Sequence, residues 1–254
     1  MTTRPSTSTG LAPWIEYVEP VAGSHAVLVC CPHAGGAASG YRPWARRLAQ
    51  VGIEVWPVQL PGREGRFNEP FQLDLDHLSD AVLDRLQAHG GGRAYAIYGH
   101  SAGAYAAWRL AMATEDRVAG LVHLFVGASR PPTHPDPAFP IHRLPDQAFL
   151  DRLLTYGRIP DELLLHEELL ELATTTARAD LRLVEDYAWP REAKLACPVT
   201  AFYGVRDTTV PLTSQHGWQS ITAGRFTELP LPGGHFPPPQ AEEQILEVVR
   251  RAFE

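Results

Sequence analysis

Apolar residues fall along this chain in two alternating rhythms. Short apolar runs at 26–31, 53–59, 95–98, 121–128, 199–203 and 226–229 read as strands. The first, AVLVCC, is continuous rather than alternating, as a strand covered on both faces should be. Between the runs the spacing changes to every third or fourth residue. In 74–88 the apolar positions are Leu75, Leu78, Val82, Leu83 and Leu86, which predicts a helix with one buried stripe. Gly90-Gly91-Gly92 stops it. Helices are also predicted over 41–50, 104–113 and 241–253, the last with Ile245, Val248, Val249 and Phe253 facing inward. Strands alternating with helices predict an α/β fold, a mostly parallel central sheet with helices on both faces.

One segment breaks the rhythm. Between Ser129 and Pro198 there is no good strand. The segment opens on the Pro-rich RPPTHPDPAFP, and helical spacing follows over 146–156, 161–173 and 178–187. Connections in α/β units are usually short. The expected organisation is therefore one domain over 1–254 with a helical subdomain at about 130–190 inserted in it. Such an insertion either extends the scaffold or forms a lid at the active-site edge.

Composition narrows the class. The 254 residues are 44% hydrophobic and 20% charged, which suits a large core and argues against disorder. The net charge of -7 disfavours non-specific nucleic-acid binding. No apolar run is long enough for a membrane span. MTTRPSTSTG reads as a loose polar tail without a signal-type apolar stretch, and the three cysteines Cys30, Cys31 and Cys197 lack a spaced framework. Both features favour a cytoplasmic protein with reduced, buried thiols. Monomer is the default state.

Gly99-His100-Ser101-Ala102-Gly103 matches G-x-S-x-G at a point where a predicted strand passes into a predicted helix. That is the setting of a nucleophile elbow, a strained turn that lifts a serine hydroxyl above the sheet edge. A serine needs a base within ~2.6–3.2 Å to become a useful nucleophile. His235, in the Pro232-Gly233-Gly234-His235-Phe236 loop, is the expected base, because imidazole accepts and returns a proton near neutrality. Asp207, after the penultimate strand, is expected to orient it, with Asp180 and Asp186 as substitutes. The order Ser101, Asp207, His235 is that of an α/β-hydrolase. The oxyanion donors are expected to be the backbone N–H groups of Ala102 and Ala34, the latter in Pro32-His33-Ala34-Gly35-Gly36. That loop lacks the Lys-Ser/Thr ending of a phosphate loop. His33 is expected at the substrate mouth and His100 is expected to point elsewhere. No spacing suits a metal, and neither metal nor cofactor is expected.

These motifs together resemble those of the type II thioesterases, discrete editing enzymes of polyketide and non-ribosomal peptide assembly lines. The resemblance covers nearly the whole chain. It is carried by Pro32-His33-Ala34-Gly35-Gly36, by Pro57-Val58-Gln59-Leu60-Pro61-Gly62-Arg63-Glu64 with Arg66, and by Gly99-His100-Ser101. Arg178-Ala179-Asp180 with 181–187, Gly204 with Asp207, Trp218 and the loop ending His235-Phe236 extend it. The P-V-Q-L-P-G-R-E run is its most specific part. The resemblance implies a Ser101, Asp207, His235 triad, oxyanion donors at Ala34 and Ala102, and a mobile lid after Ser129. It implies as substrate an acyl thioester on the phosphopantetheine arm of an acyl or peptidyl carrier protein. Family members often carry Met after the nucleophile; Ala102 here implies a smaller pocket wall. They often show Ser-Gly-Arg where this chain has Ala128-Ser129-Arg130.

Carrier proteins are usually acidic, so the resemblance also implies a local basic mouth, with Arg42, Arg46, Arg47, Arg63, Arg66, Arg130 and Arg143 as candidates. A solvated face or internal ion pairs are the other reading of each. An esterase or lipase, a cyclase and a carrier-binding protein with an idle triad stay open as alternatives.

Overall fold

The computed structural model describes residues 14–71, 74–115, 117–134, 140–157, 159, 161–190 and 193–254. The N-terminal tail and part of the Pro-rich stretch, 135–139, lie outside the described residues.

Six strands form one sheet: β1 (Ala26–Cys31), β2 (Ile53–Pro57), β3 (Ala94–His100), β4 (Leu121–Gly127), β5 (Val199–Gly204) and β6 (Phe226–Leu231). Their spatial order is β2-β1-β3-β4-β5-β6, and every neighbouring pair is parallel. The helices are α1 (Arg42–Ala49), α2 (Leu75–His89), α3 (Ala102–Glu115), α4 (Asp146–Thr155), α5 (Glu167–Glu185), the short α6 (Leu212–Gln215) and α7 (Pro239–Arg251). The strand and helix rhythm predicts this parallel α/β sheet, and the arrangement is that of the α/β-hydrolase fold expected from the order of Ser101, Asp207 and His235.

The continuous apolar run of β1 has a direct cause. Val27, Val29 and Cys31 enter the core on one face of the sheet, with residues of α2, α3 and α5. Ala26, Leu28 and Cys30 enter the core on the other face, with α1 and α7. A strand dry on both sides cannot alternate apolar with polar residues.

Topology brings the loops together. From β1 the chain crosses to β2 on one side and then to β3 on the other, so β1 and β3 flank a switch point, where open α/β sheets place their sites. Register does the rest: Cys31 sits opposite Gly99, His100 opposite Gly127, and Gly204 opposite Leu231. The carboxyl ends of β1, β3, β4, β5 and β6 thus finish along one sheet edge.

The insertion between β4 and β5 holds α4, a 3-10 turn (Asp161–Leu165) and α5. The two helices predicted at 161–173 and 178–187 are instead this turn followed by one helix of 19 residues. The leucine spacing misleads because none of the leucines in 161–173 is buried. Leu165 is 81% exposed and Leu169 52% exposed. The buried residues of α5 are Thr176, Ala177, Asp180, Leu181 and Val184, all in its C-terminal half. α5 is therefore anchored at one end and loosely packed at the other.

Candidate active site

Ser101 is the last residue before α3 and has φ of +54°, in the left-handed region that a β-carbon disfavours. Two contacts hold it there: its N–H donates to the Gly127 carbonyl at 2.8 Å, and its carbonyl accepts from Ala104 N–H at 3.0 Å. The flanking glycines allow the crossing. A β-carbon on Gly99 would run into the Gly103 carbonyl, and one on Gly103 into that of Cys31. The G-x-S-x-G spacing is thus a close-approach requirement between strand, helix and neighbouring strand.

His235 and Asp207 reach Ser101 from the loops after β6 and β5. Ser101 Oγ lies 3.0 Å from His235 Nε2, and His235 Nδ1 lies 2.9 Å from Asp207 Oδ2. A carboxylate can only accept, so Nδ1 carries the proton and Nε2 is left to accept from the serine hydroxyl. Both side chains are nearly sealed from water, His235 at 3% and Asp207 at 1% exposed.

Sequence reasoning passed over Thr209. Its N–H and hydroxyl donate to Asp207 Oδ1 at 2.8 and 2.6 Å, and Val210 N–H donates to the same oxygen at 3.1 Å. Oδ1 is thereby saturated and Oδ2 is turned to the imidazole. The Thr209 oxygen also lies 3.0 Å from His235 Nδ1. Burial by itself pushes the Asp207 carboxyl up; the His235 and Thr209 donors outweigh it and hold the group below its ordinary range. The signal was present as Asp207-Thr208-Thr209, an Asx-turn sequence after a strand.

Ser101 opens into a cavity of about 400 Å³. Ala34, Ala102, His33 and His235 line its floor, and Tyr105, Leu153, Tyr156, Leu163, Ala177 and Leu181 form much of its wall. The wall is largely apolar and comes mainly from the insertion. Asp180 and Asp186, the substitutes for Asp207, are held elsewhere: Asp180 by Arg63, and Asp186 by Arg143. His100 lies outside the cavity lining, beside Phe236 with ring centroids 5.1 Å apart.

The basic mouth needs correction. Arg63 and Arg66 are buried, since Arg63 is gripped by Asp180 and Arg66 by Glu69, with Arg66 also 3.9 Å above the Trp14 ring. Buried cations require partners, and these two are internal. Arg47 and Arg143 pair with Glu243 and Asp186. Of the seven, Arg130 lines the cavity. Trp218, fully buried, donates its indole N–H to the Ser129 carbonyl at 2.7 Å and pins the chain beyond β4.

Among the described residues, no group of three or more His, Cys, Asp or Glu is placed to hold a metal ion. Nor is any helix among them long and apolar enough to cross a membrane.

A thioesterase-domain family model matches residues 26–253. The chain is 35% identical over 239 residues to thioesterase PikA5 of Streptomyces venezuelae, covering 93% of this chain and 83% of that one. It is 34% identical over 250 residues to linear gramicidin dehydrogenase LgrE of Brevibacillus parabrevis, covering 95% and 92%. The structure of BorB, a type II thioesterase from the borrelidin biosynthetic cluster, superposes with a TM-score of 0.82 at 32% identity, covering 97% of this chain and all of that one.

Proposed function

The chain belongs to the thioesterase family, as a type II thioesterase of polyketide and non-ribosomal peptide biosynthesis, and on that premise we propose that it edits carrier proteins. In this reading it removes aberrant or stalled acyl groups from the phosphopantetheine arm, acting as a cytoplasmic monomer. The observation that carries the reading is the continuous hydrogen-bonded chain Ser101–His235–Asp207 at the floor of an apolar, acyl-sized cavity.

Ser101 Oγ attacks the thioester carbonyl as its proton passes to His235 Nε2. The carbonyl oxygen becomes an oxyanion and accepts from the N–H groups of Ala34 and Ala102. Ala102 opens α3, whose first turn has unsatisfied N–H groups and a partial positive charge. The intermediate collapses, the C–S bond breaks, and the imidazolium returns its proton to the leaving thiolate. Asp207 stabilises the imidazolium throughout. A water then repeats the sequence on the acyl-serine, releasing free acid and restoring Ser101.

The insertion at about 130–190 acts as a lid in this reading. The loose N-terminal half of α5 and the exposed Leu165 support it, because weakly packed segments open at low cost. Arg130 is the arginine of the expected mouth best placed to meet an incoming arm. As for the relative named a dehydrogenase, the first βα turn here, Pro32-His33-Ala34-Gly35-Gly36, lacks the G-x-G-x-x-G spacing for a dinucleotide.

The test is a hydrolysis panel of acyl groups on carrier protein, on coenzyme A and as matched oxygen esters. Free acid should form fastest from the carrier thioesters and vanish with Ser101→Ala. Equal turnover by that variant rejects the mechanism; preference for oxygen esters rejects the substrate class.

A further inference from the structure

The P-V-Q-L-P-G-R-E run carries the family resemblance yet takes no part in the chemistry above. Two of its buried side chains, Gln59 and Arg63, converge on the loop that holds Ala34. Gln59 accepts the Ala38 N–H through Oε1 at 2.8 Å, and its amide N–H is directed to the Leu60 and Arg63 carbonyls. Arg63 donates Nη1 to the Gly36 carbonyl at 3.0 Å. Its Nη1 and Nη2 also grip both carboxylate oxygens of Asp180 on α5, at 2.5 and 2.6 Å. Asp180 Oδ2 in turn accepts the Gly35 N–H at 2.8 Å. The helix packs close at this point: Gly35 has φ of +74°, and a β-carbon on it would meet Ala177 Cβ at 3.4 Å.

Stability alone does not account for such a pair. Taking two charges out of water offsets much of their attraction, and apolar residues of similar volume often serve as well. A bidentate guanidinium–carboxylate fork offers fixed geometry instead. The peptide unit joining Ala34 to Gly35 is planar, so holding the Gly35 N–H holds the Ala34 carbonyl with it. The other plane, joining His33 to Ala34 and carrying the Ala34 N–H, is held by the Gly36 N–H donating to the His33 carbonyl at 2.8 Å. An oxyanion donor needs such restraint, because catalytic groups must sit within ~0.5 Å of their productive places.

We propose that Gln59, Arg63 and Asp180 are positioning residues for the oxyanion loop, through which the anchored half of α5 sets the geometry of the Ala34 donor. This rests on reading the Ala34 N–H as an oxyanion donor. It assigns the insertion a second role: besides walling the cavity, it holds the oxyanion loop in place.

The test compares full-length Asp180→Asn, Arg63→Lys and their double variant with the parent enzyme. Three quantities are read: kcat and KM on an octanoyl-carrier thioester, inhibition by octylboronic acid, and binding of octanoic acid. The boronate adduct of Ser101 places an oxygen in the oxyanion position, whereas the planar free acid forms no tetrahedral oxyanion and reads mainly the cavity. Each single variant should lower kcat by about 10- to 100-fold, short of the ~10²–10³ for complete loss of a donor. Boronate inhibition should weaken in proportion. KM and octanoic acid affinity should stay within about twofold, since binding and transition-state contacts are separable. The double variant should be no worse than the poorer single one, as for residues acting as one unit. Folded variants with unchanged kcat overturn the proposal. So does a loss of octanoic acid affinity equal to the loss of kcat, which would make the pair a wall of the cavity only.

Should removal of either charge prevent folding, Gln59→Leu carries the same comparison without stranding a buried charge. The premise is tested separately by replacing the Ala34 N–H with an ester oxygen, using lactic acid at position 34. An unchanged kcat there rejects the oxyanion assignment itself. A fall there, with full activity in Asp180→Asn, rejects the brace alone.

Discussion

The ring of Tyr156, just beyond α4, packs against the imidazole of His235 with centroids 4.6 Å apart. The insertion therefore closes directly on the proposed base, and Tyr156 is both cavity wall and cover. Tyr156→Ala enlarges the cavity and wets the imidazole. We expect about a tenfold fall in kcat/KM on small acyl groups and a weaker penalty on bulky ones, since each lost apolar contact is worth ~1–3 kcal/mol of discrimination. A specificity profile unchanged across chain lengths would contradict this.

Asp207 and Thr209 separate two kinds of support. Asp207→Asn removes the acceptor that fixes the imidazole tautomer, and kcat should fall by about 10⁴. Thr209→Val removes the hydroxyl, with its bond to Oδ1 and its 3.0 Å contact to His235 Nδ1, and leaves the two backbone donors to Oδ1, at 2.8 and 3.1 Å. Its kcat should fall by about tenfold, one charge-assisted hydrogen bond being worth ~1.5–3 kcal/mol at most, with KM unchanged. Steady-state kinetics on one thioester decide both. A Thr209→Val loss as large as that of Asp207→Asn would show that the hydroxyl does more than brace.

His123, on β4, is stacked on Phe125 and lies 2.8 Å from the Thr200 hydroxyl. Burial lowers its pKa to about 4. An unfolded chain takes up this proton below about pH 6.5, while the folded protein resists until about pH 4. Stability should therefore fall as pH drops through that window and level off below it, with His123 contributing about 1–2 kcal/mol of loss between pH 7 and pH 5. Urea unfolding of His123→Gln against the parent at both pH values should show a smaller acid loss in the variant. Equal losses would remove His123 as a cause.

All three cysteines are buried and free. Burial pushes Cys31 and Cys197 up to about 12 and raises Cys30 as well. Only thiolate reacts readily with alkylating agents. Native protein at pH 8 should resist iodoacetamide with full activity retained, and all three thiols should react in denaturant. Mass spectrometry showing alkylation of the native state would refute the prediction.

Trp218 joins packing to one hydrogen bond. Trp218→Phe keeps most of the ring volume but strands the buried Ser129 carbonyl. The expected cost is about 1–3 kcal/mol, read from the midpoint of chemical denaturation. A neutral result would mean that the carbonyl finds another donor.

Much of this protein was legible one residue at a time. Local patterning determined the six strands, because a strand buried on both faces must be apolar throughout, as 26–31 is. The strained turn at Ser101 was equally local, since only the spacing of Gly99 and Gly103 lets strand and helix cross there. The order of Ser101, Asp207 and His235 followed from the loops they occupy. Tertiary structure decided what depends on distant partners. In the sequence Arg63 is open to a basic mouth, a solvated face or an internal ion pair, and only its meeting with Asp180, from a helix far along the chain, makes it internal. Thr209 gains its role from the direction of one carboxylate oxygen. The leucines of 161–173 look like core until the fold leaves several of them in water. Periodicity records which residues can share a face; which faces and charges find partners is set by long-range packing, and no local pattern encodes it.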